Sequence, residues 1–410
     1  MGLIVQKYGG TSVGDAEKIK NVAARVAKAR SEGNGVVVVV SAMGKTTDYL
    51  VDLAHEIAPE PSAREFDMLL STGEQVSIAL LAMALHAIDV PAISFTGGQV
   101  GILTDEAFSK ARILSIDTER IKSVLDNSNV AIVAGFQGIT TDMTITTLGR
   151  GGSDTTAVAL TAALEADCCE IFTDVDGVYT ADPRAVPTAR KLSKISYDEI
   201  LELASLGAQV LHPRAVELAK KYDVRLSVRP SHSEGEGTMI VQEVKEMEKV
   251  VVSGIASQED EAKISLLGVP DTPGVAASIF SKIADENICI DMIAQSAGEE
   301  GHNNISFTVL KSDLLQTKTV VEALAKELSA HGCEVNDEVA KVSIVGVGMR
   351  SHSGIASKMF NALAQIGANI EMISTSEIKT SCLIDAHKTK EAVKAIHAAF
   401  IDDNPDFELL

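Results

Sequence analysis

The chain has 410 residues, of which 46% are hydrophobic; this excludes a disordered protein and leaves room for two or three domains with substantial cores. A formal net charge of -21, with 4% aromatic residues and no tryptophan, argues against nucleic acid or an anionic membrane surface as partner. Five scattered cysteines, Cys168, Cys169, Cys289, Cys333 and Cys382, form no C-x-x-C pair and no Cys/His cluster, so neither a disulfide framework nor a metal site is expected.

From the start to about residue 240, short apolar runs alternate with amphipathic stretches. Leu3-Ile4-Val5 and Val36 to Val40 are uninterrupted apolar runs of the kind that form strands covered on both faces. Val130 to Ala134, Glu170 to Thr173 and Val224 to Val228 continue the series. Between them Ile19, Val22, Ala23 and Val26 recur at helical spacing, as do Ala157, Leu160, Thr161 and Leu164. The apolar run Val76 to Ile88 is shorter than a bilayer crossing requires and predicts a core helix. Met1-Gly2-Leu3-Ile4-Val5 enters the first strand without the layout of a secretion signal, and with the cysteine usage this predicts a cytoplasmic protein. Strand–helix alternation predicts a mostly parallel sheet with helices on both faces and ligands at the carboxyl ends of the strands.

A polar stretch, Ser231 to Gly237, and a charged run, Glu243 to Lys249, mark the exit from this domain. Beyond it the chain repeats itself with a period of about 80 residues. Lys263-Ile264-Ser265-Leu266-Leu267-Gly268-Val269 returns as Lys341-Val342-Ser343-Ile344-Val345-Gly346-Val347, and Cys289-Ile290-Asp291-Met292-Ile293 as Asn369-Ile370-Glu371-Met372-Ile373. Each unit reads strand, turn, helix, strand, so a tandem pair of small α/β modules is expected.

The chemistry-bearing residues follow the strands. Lys7-Tyr8-Gly9-Gly10-Thr11-Ser12 lacks the Walker pattern, yet it puts an ammonium at a strand's end and glycines where backbone can approach phosphate. Ser12 with Asp15 also reads as a capping box. Ser41-Ala42-Met43-Gly44, with Thr46-Thr47, ends the valine strand. Ser71-Thr72-Gly73-Glu74 reads either as a second capping box or as a carboxylate for a substrate ammonium. Thr147 to Thr156 combines three glycines, one arginine and one aspartate between a strand and an Ala-rich helix, a combination suited to gripping an anion. Thr173 to Arg184 follows another strand with carboxylates, Tyr179 and an arginine, a set able to hold a nucleotide. No HExxH or Cys/His pair is present, which disfavours the usual metallo- and thiol hydrolases. Phosphoryl transfer to a carboxylate needs none of these: the acceptor is already ionised at pH 7, and alignment with charge neutralisation suffices.

KYGGTS at 7–12, SAMG at 41–44, TGE at 72–74, TTLGRGGSDTTA at 146–157 and TDVDGVYTADPR at 173–184, in that order and with the tandem repeat behind them, resemble aspartate kinase. The resemblance covers essentially the whole chain. It implies a three-layer α/β/α amino-acid-kinase fold over residues 1–245, then two ferredoxin-like (βαββαβ) ACT domains over 246–340 and 341–410. It implies ATP- and Mg²⁺-dependent formation of 4-phospho-L-aspartate, the first step of the lysine, threonine and methionine branch. By matching motifs, Lys7 and Asp154 would be catalytic, with Lys7 on the γ-phosphoryl group. Lys7, Tyr8, Gly9, Gly10, Ser12, Ser41, Thr173, Asp174, Tyr179 and Arg184 would hold ATP. Thr47, Glu74, Arg150, Gly151, Gly152, Ser153 and Asp154 would hold aspartate, Arg150 on a carboxylate and Glu74 on the ammonium. Lysine, threonine or both would bind between paired ACT modules near Asp271, Gly274, Val275, Ala276, Ile290, Asp291, Gln295, Asn369, Ile370 and Ser376.

The second repeat has Ser353-Gly354 where the first has Pro273-Gly274, which leaves the number of effector sites open. Met247 is a candidate internal start for a separate regulatory subunit, and exposed edge strands of the modules predict a homo-oligomer. Kinases of glutamate or N-acetylglutamate are the rival enzymes, although an N-acetylated substrate lacks the ammonium that Glu74 would meet. A catalytically silent amino-acid sensor is the rival outside the enzymes.

Overall fold

The computed structural model describes residues 2–206, 210–242, 252–298, 301–347, 349 and 352–403. Met247 and the expected boundary at 245/246 lie outside the described residues.

One eight-stranded sheet organises the first half. Leu226–Pro230, Cys168–Thr173, Leu3–Tyr8, Gly35–Val40, Val130–Ala134 and Ala92–Phe95 lie side by side in that order, all parallel. The strands expected from the apolar runs are therefore consecutive neighbours. Thr238–Val241 pairs antiparallel beyond them, and Lys194–Ser196 closes the edge. Val37 and Val39 point into a core shared with Ala157, Leu160 and Leu164 of helix Gly152–Leu164. Val36, Val38 and Val40 point the other way, against Ile19, Val22 and Val26 of helix Ala16–Ser31 and Ile78, Leu81 and Leu85 of helix Thr72–His86. Strand alternation thus places a helical layer on each face.

Two local expectations change. Asp15, not Ser12, caps helix Ala16–Ser31, accepting from Lys18 N at 2.9 Å. The apolar helix begins earlier than its hydropathy suggests: Ala63–Leu70 abuts Thr72–His86, a 24-residue stretch that contains an 18-residue window of mean hydropathy 1.5. That window is long and apolar enough to cross a membrane, but half of it is buried inside the protein, and the stretch carries buried Asp67 and Glu74. Four strands of three or four residues, Ile102–Thr104, Ile113–Ile116, Gln137–Ile139 and Ile145–Thr147, form a second sheet that sequence patterning did not reveal.

The repeats share one six-stranded antiparallel sheet, ordered Ile293–Ala297, His302–Leu310, Gly254–Pro270, Gly332–Val345, Lys379–Asp385 and Ile370–Thr375. Its two long central strands serve both modules. Glu261 to Leu267 pair with Gly332 to Val339, while Gly254 to Gln258 pair with Lys341 to Val345. After helix Thr389–His397 the chain continues as the helical segment Ala398–Asp402, so the second module takes its outer strand from residues 254–258, which precede the first. The expected boundary at 340/341 falls inside strand Gly332–Val345.

Candidate active site

Strand ends, loops and three helix starts converge on a cavity of about 890 Å³. Lys7, Ser41, Thr47, Glu74, Arg150, Gly151, Gly152, Ser153 and Asp154 all line it. Lys7 comes from the carboxyl end of the central strand, and Asp154 from the first turn of helix Gly152–Leu164. Their charges meet at 2.6 Å, each side chain only 12% exposed. Arg150 is exposed and pairs with no described carboxylate.

Glu74 is buried in the same cavity. Its Oε1 accepts from Ala42 N at 3.0 Å, while Oε2 has no hydrogen-bond partner. Burial pushes the carboxyl group up to about 7, against two stabilising backbone hydrogen bonds. The capping-box reading fails here: Ser71 Oγ bonds back to Met68 O, and no side chain caps Thr72–His86. What remains is an acceptor held toward a site large enough for a cation-bearing substrate.

Glycine is demanded at two turns. Gly151 has φ of +68°, and a Cβ there would lie 2.1 Å from His212 Cγ. A Cβ on Gly10 would lie 2.7 Å from Ala42 O, so the first two strand-end loops touch through backbone alone. His212 and Arg214, which sequence reading passed over, support the loop that carries Arg150. Arg214 donates to Leu148 O and Ala111 O, each at 2.7 Å, and burial lowers the His212 imidazole below its ordinary value. Asp67 was missed as well. Fully buried, it accepts from the backbone and hydroxyls of Ser109 and Thr147, both of which line the cavity. A lone aspartate in an apolar helix carries no local signal of partners 42 and 80 residues away.

The nucleotide set is less uniform. The Tyr8 side chain is not a ligand group: it is fully buried, stacked on Phe172 at 4.7 Å, and donates to Gln6 Oε1 at 3.1 Å. Burial also raises its phenol far above the ordinary value. Gly9 donates to Phe172 O, and Ser12 Oγ is buried without a hydrogen-bond partner. Thr173, Asp174, Tyr179 and Arg184 do not line the cavity. They follow strand Cys168–Thr173, the immediate neighbour of the strand bearing Lys7. Thr173 donates to Asp174 at 3.1 Å, Tyr179 bridges to Lys191, and Arg184, 87% exposed at its side chain, pairs with Asp182.

The chain matches the model of the amino acid kinase family over residues 2–230 and that of the ACT domain over 264–328 and 342–400. It is 53% identical over 406 residues to an aspartate kinase of Pseudomonas putida, covering 99% of both chains. It is 52% identical over 406 residues to an aspartokinase of Thermus thermophilus, covering 98% of this chain and 99% of the other. The chain belongs to the aspartate kinases of the amino acid kinase family. Among solved structures, it resembles Escherichia coli aspartokinase III in complex with aspartate and ADP in the R-state: TM-score 0.81, 27% identity, 97% and 99% coverage. The T-state of that enzyme, in complex with lysine and aspartate, gives a TM-score of 0.75 at 27% identity and the same coverage.

In this aspartate kinase the residues anticipated for effectors form two groups. Asp271, Gly274, Val275 and Ala276 surround the start of helix Val275–Asp285, where Asp271 accepts from Asn303 at 2.8 Å. Ile290, Asp291 and Gln295 lead into and lie on edge strand Ile293–Ala297, and Asn369, Ile370 and Ser376 flank edge strand Ile370–Thr375. Met292 and Met372 pack in one small cluster and draw those two segments together. Ion pairs cross between the repeats: Lys263 meets Glu371 at 3.0 Å, and buried Lys341 meets both Asp291 and Glu261. Asp291 is therefore already engaged by a lysine of the other repeat.

Proposed function

We propose that the cavity binds L-aspartate by its ammonium at Glu74 and by a carboxylate at Arg150, presenting the side-chain carboxylate to the γ-phosphoryl group of ATP. The observation that carries this reading is the buried, unpartnered Glu74 Oε2 in one cavity with Arg150 and the Lys7–Asp154 pair. An anionic acceptor and an anionic donor repel each other, and catalysis consists largely of neutralising and aligning them. Lys7, oriented by Asp154, meets the transferring group's charge. Helix Gly152–Leu164 starts at the same cavity with Ser153 and Asp154, whose N–H groups lack intrahelical acceptors, while Gly152 N donates to Gly149 O.

Thr173, Asp174, Tyr179 and Arg184 hold the nucleotide in this reading, with Gly9, Gly10, Ser12 and Ser41 on its phosphates. Mg²⁺ arrives with ATP: among the described residues, no group of three or more His, Cys, Asp or Glu is placed to hold an ion. The product, 4-phospho-L-aspartate, feeds the lysine, threonine and methionine branch in the cytoplasm. Lysine, threonine or both act through the ACT modules, and the lysine complex of the Escherichia coli enzyme supports that choice of effector. Edge strands Ile293–Ala297 and Ile370–Thr375 expose Ile293 and Ile373, matching positions of the repeat, and support pairing between copies. A shorter subunit started at Met247 would present the same edges.

The test is hydroxylamine trapping of acyl phosphate with aspartate, glutamate or N-acetylglutamate, with and without lysine plus threonine. The expected result is ATP- and Mg²⁺-dependent product from aspartate alone, suppressed by effector. Equal turnover of N-acetylglutamate would remove Glu74 as an ammonium ligand. Saturable binding of lysine or threonine without any turnover would favour the silent sensor.

A further inference from the structure

The loop that carries Tyr179 and Arg184 is held by the far end of the chain. Ala181 and Val186 lie in the apolar core of the second repeat, together with Ile396, Phe400 and Ile401. A buried polar relay runs through that contact. Thr180 Oγ1 accepts from Arg190 N at 2.9 Å and lies 2.9 Å from His397 Nε2, and His397 Nδ1 lies 3.2 Å from Asp402 Oδ2. Asp402 also accepts from Thr188 Oγ1 at 2.9 Å. Thr180 and His397 are both fully buried.

One proton arrangement serves every member. The Thr180 hydroxyl, already accepting from Arg190, donates to an unprotonated Nε2, and Nδ1–H donates to the Asp402 carboxylate. The opposite tautomer would leave the hydroxyl proton without an acceptor and set the Nδ1 lone pair against a carboxylate oxygen. The inner pair, Thr180 and His397, is closed to solvent, while Thr188 and Asp402 lie at the surface, so the arrangement serves to hold and not to react.

We propose that His397, on the last helix of the regulatory half, is a positioning residue for the nucleotide side of the active site. It fixes Thr180, and Asp402 fixes Thr188, so the loop between Val178 and Leu192 is tied to the second ACT module at two points. Through these ties the regulatory half reaches nucleotide affinity and leaves aspartate affinity alone. The inference rests on the reading that Thr173, Asp174, Tyr179 and Arg184 hold the nucleotide.

The experiment compares the full-length enzyme with Thr180→Val, His397→Leu, their double variant and Arg184→Ala, measuring kcat, both KM values and thermal midpoints. Thr180→Val is nearly isosteric and keeps the fold if His397→Leu does not. Each relay variant should raise the KM for ATP about fivefold, the scale of one buried hydrogen bond, with kcat and the aspartate KM within twofold. The double variant should be no worse than the more affected single one, because both remove the same bond. Unchanged KM for ATP in both relay variants, with a raised one in Arg184→Ala, overturns the inference and leaves the nucleotide reading standing. No effect of Arg184→Ala overturns that reading and the inference with it. A parallel rise in both KM values with falling kcat and thermal midpoint reduces His397 to a structural residue and also overturns the inference.

Discussion

Glu74 couples function to stability in opposite directions, and Glu74→Gln separates the two. The carboxyl group titrates near 4.5 in the unfolded chain and is pushed up to about 7 by burial in the folded one. A raised value means that the folded state favours the protonated form. Stability from this site is complete below about pH 4.5 and is lost as the pH climbs through about 7. At about 1.4 kcal/mol per pH unit, the ionised, unpartnered form costs the empty enzyme about 3 kcal/mol at pH 8. Glutamine keeps the shape without the charge. It should raise the thermal midpoint of the empty kinase domain at pH 8 by about 5–10 °C and by only about 2 °C at pH 5. The same substitution removes a charge-assisted bond of about 1.5–3 kcal/mol to the aspartate ammonium, so the KM for aspartate should rise about 10- to 150-fold. In the wild type, the aspartate KM should rise as the pH falls below about 7, where Glu74 takes up a proton. Scanning fluorimetry across pH with initial-rate kinetics reads both effects. A variant that melts no higher than wild type at pH 8 would refute the picture of an ionised carboxylate awaiting a cation. A variant that melts higher with an unchanged aspartate KM would show that the awaited cation is not the substrate's ammonium.

Three other perturbations test separate parts of the structure. Lys7→Ala should lower kcat by about 10²–10³ while changing the aspartate KM far less, because its ammonium acts on the transferring group; near-normal turnover would remove Lys7 from the mechanism. Asp67→Asn should cost about 3 kcal/mol in urea denaturation and raise the aspartate KM, since the new amide faces the donors of Ser109 and Thr147. Wild-type kinetics in that variant would detach the apolar helix from the shape of the site. Lys341→Met should destabilise the regulatory half by about 3–5 kcal/mol at pH 8 by leaving Glu261 buried without its cation. The loss should shrink as the pH falls, because burial favours the protonated form of Glu261, and adding Glu261→Gln should restore the midpoint. A pH-independent loss would place the effect in packing.

Local sequence determined the parts of this protein whose physics is local. Five short, mostly apolar runs became neighbouring parallel strands because a strand covered on both faces must be largely apolar on both. Lys7, Glu74 and the Arg150–Asp154 turn could be singled out because strand ends and helix starts are where a parallel sheet leaves backbone and charges open to ligand. The duplicated module was legible because both copies keep the same strand–turn–helix pattern, down to left-handed Gly274 and Gly354 at equivalent helix starts. Tertiary structure alone decided what depends on groups far apart in the chain. It buried Tyr8 as a core ring, turned Glu74 from a helix cap into an open acceptor, and bound Asp67 to Ser109 and Thr147. It also crossed the ion pairs of the two repeats and gave the second its outer strand from residues that precede the first. A buried polar group must find a partner wherever the fold supplies one, and composition and periodicity carry no record of which segments will meet.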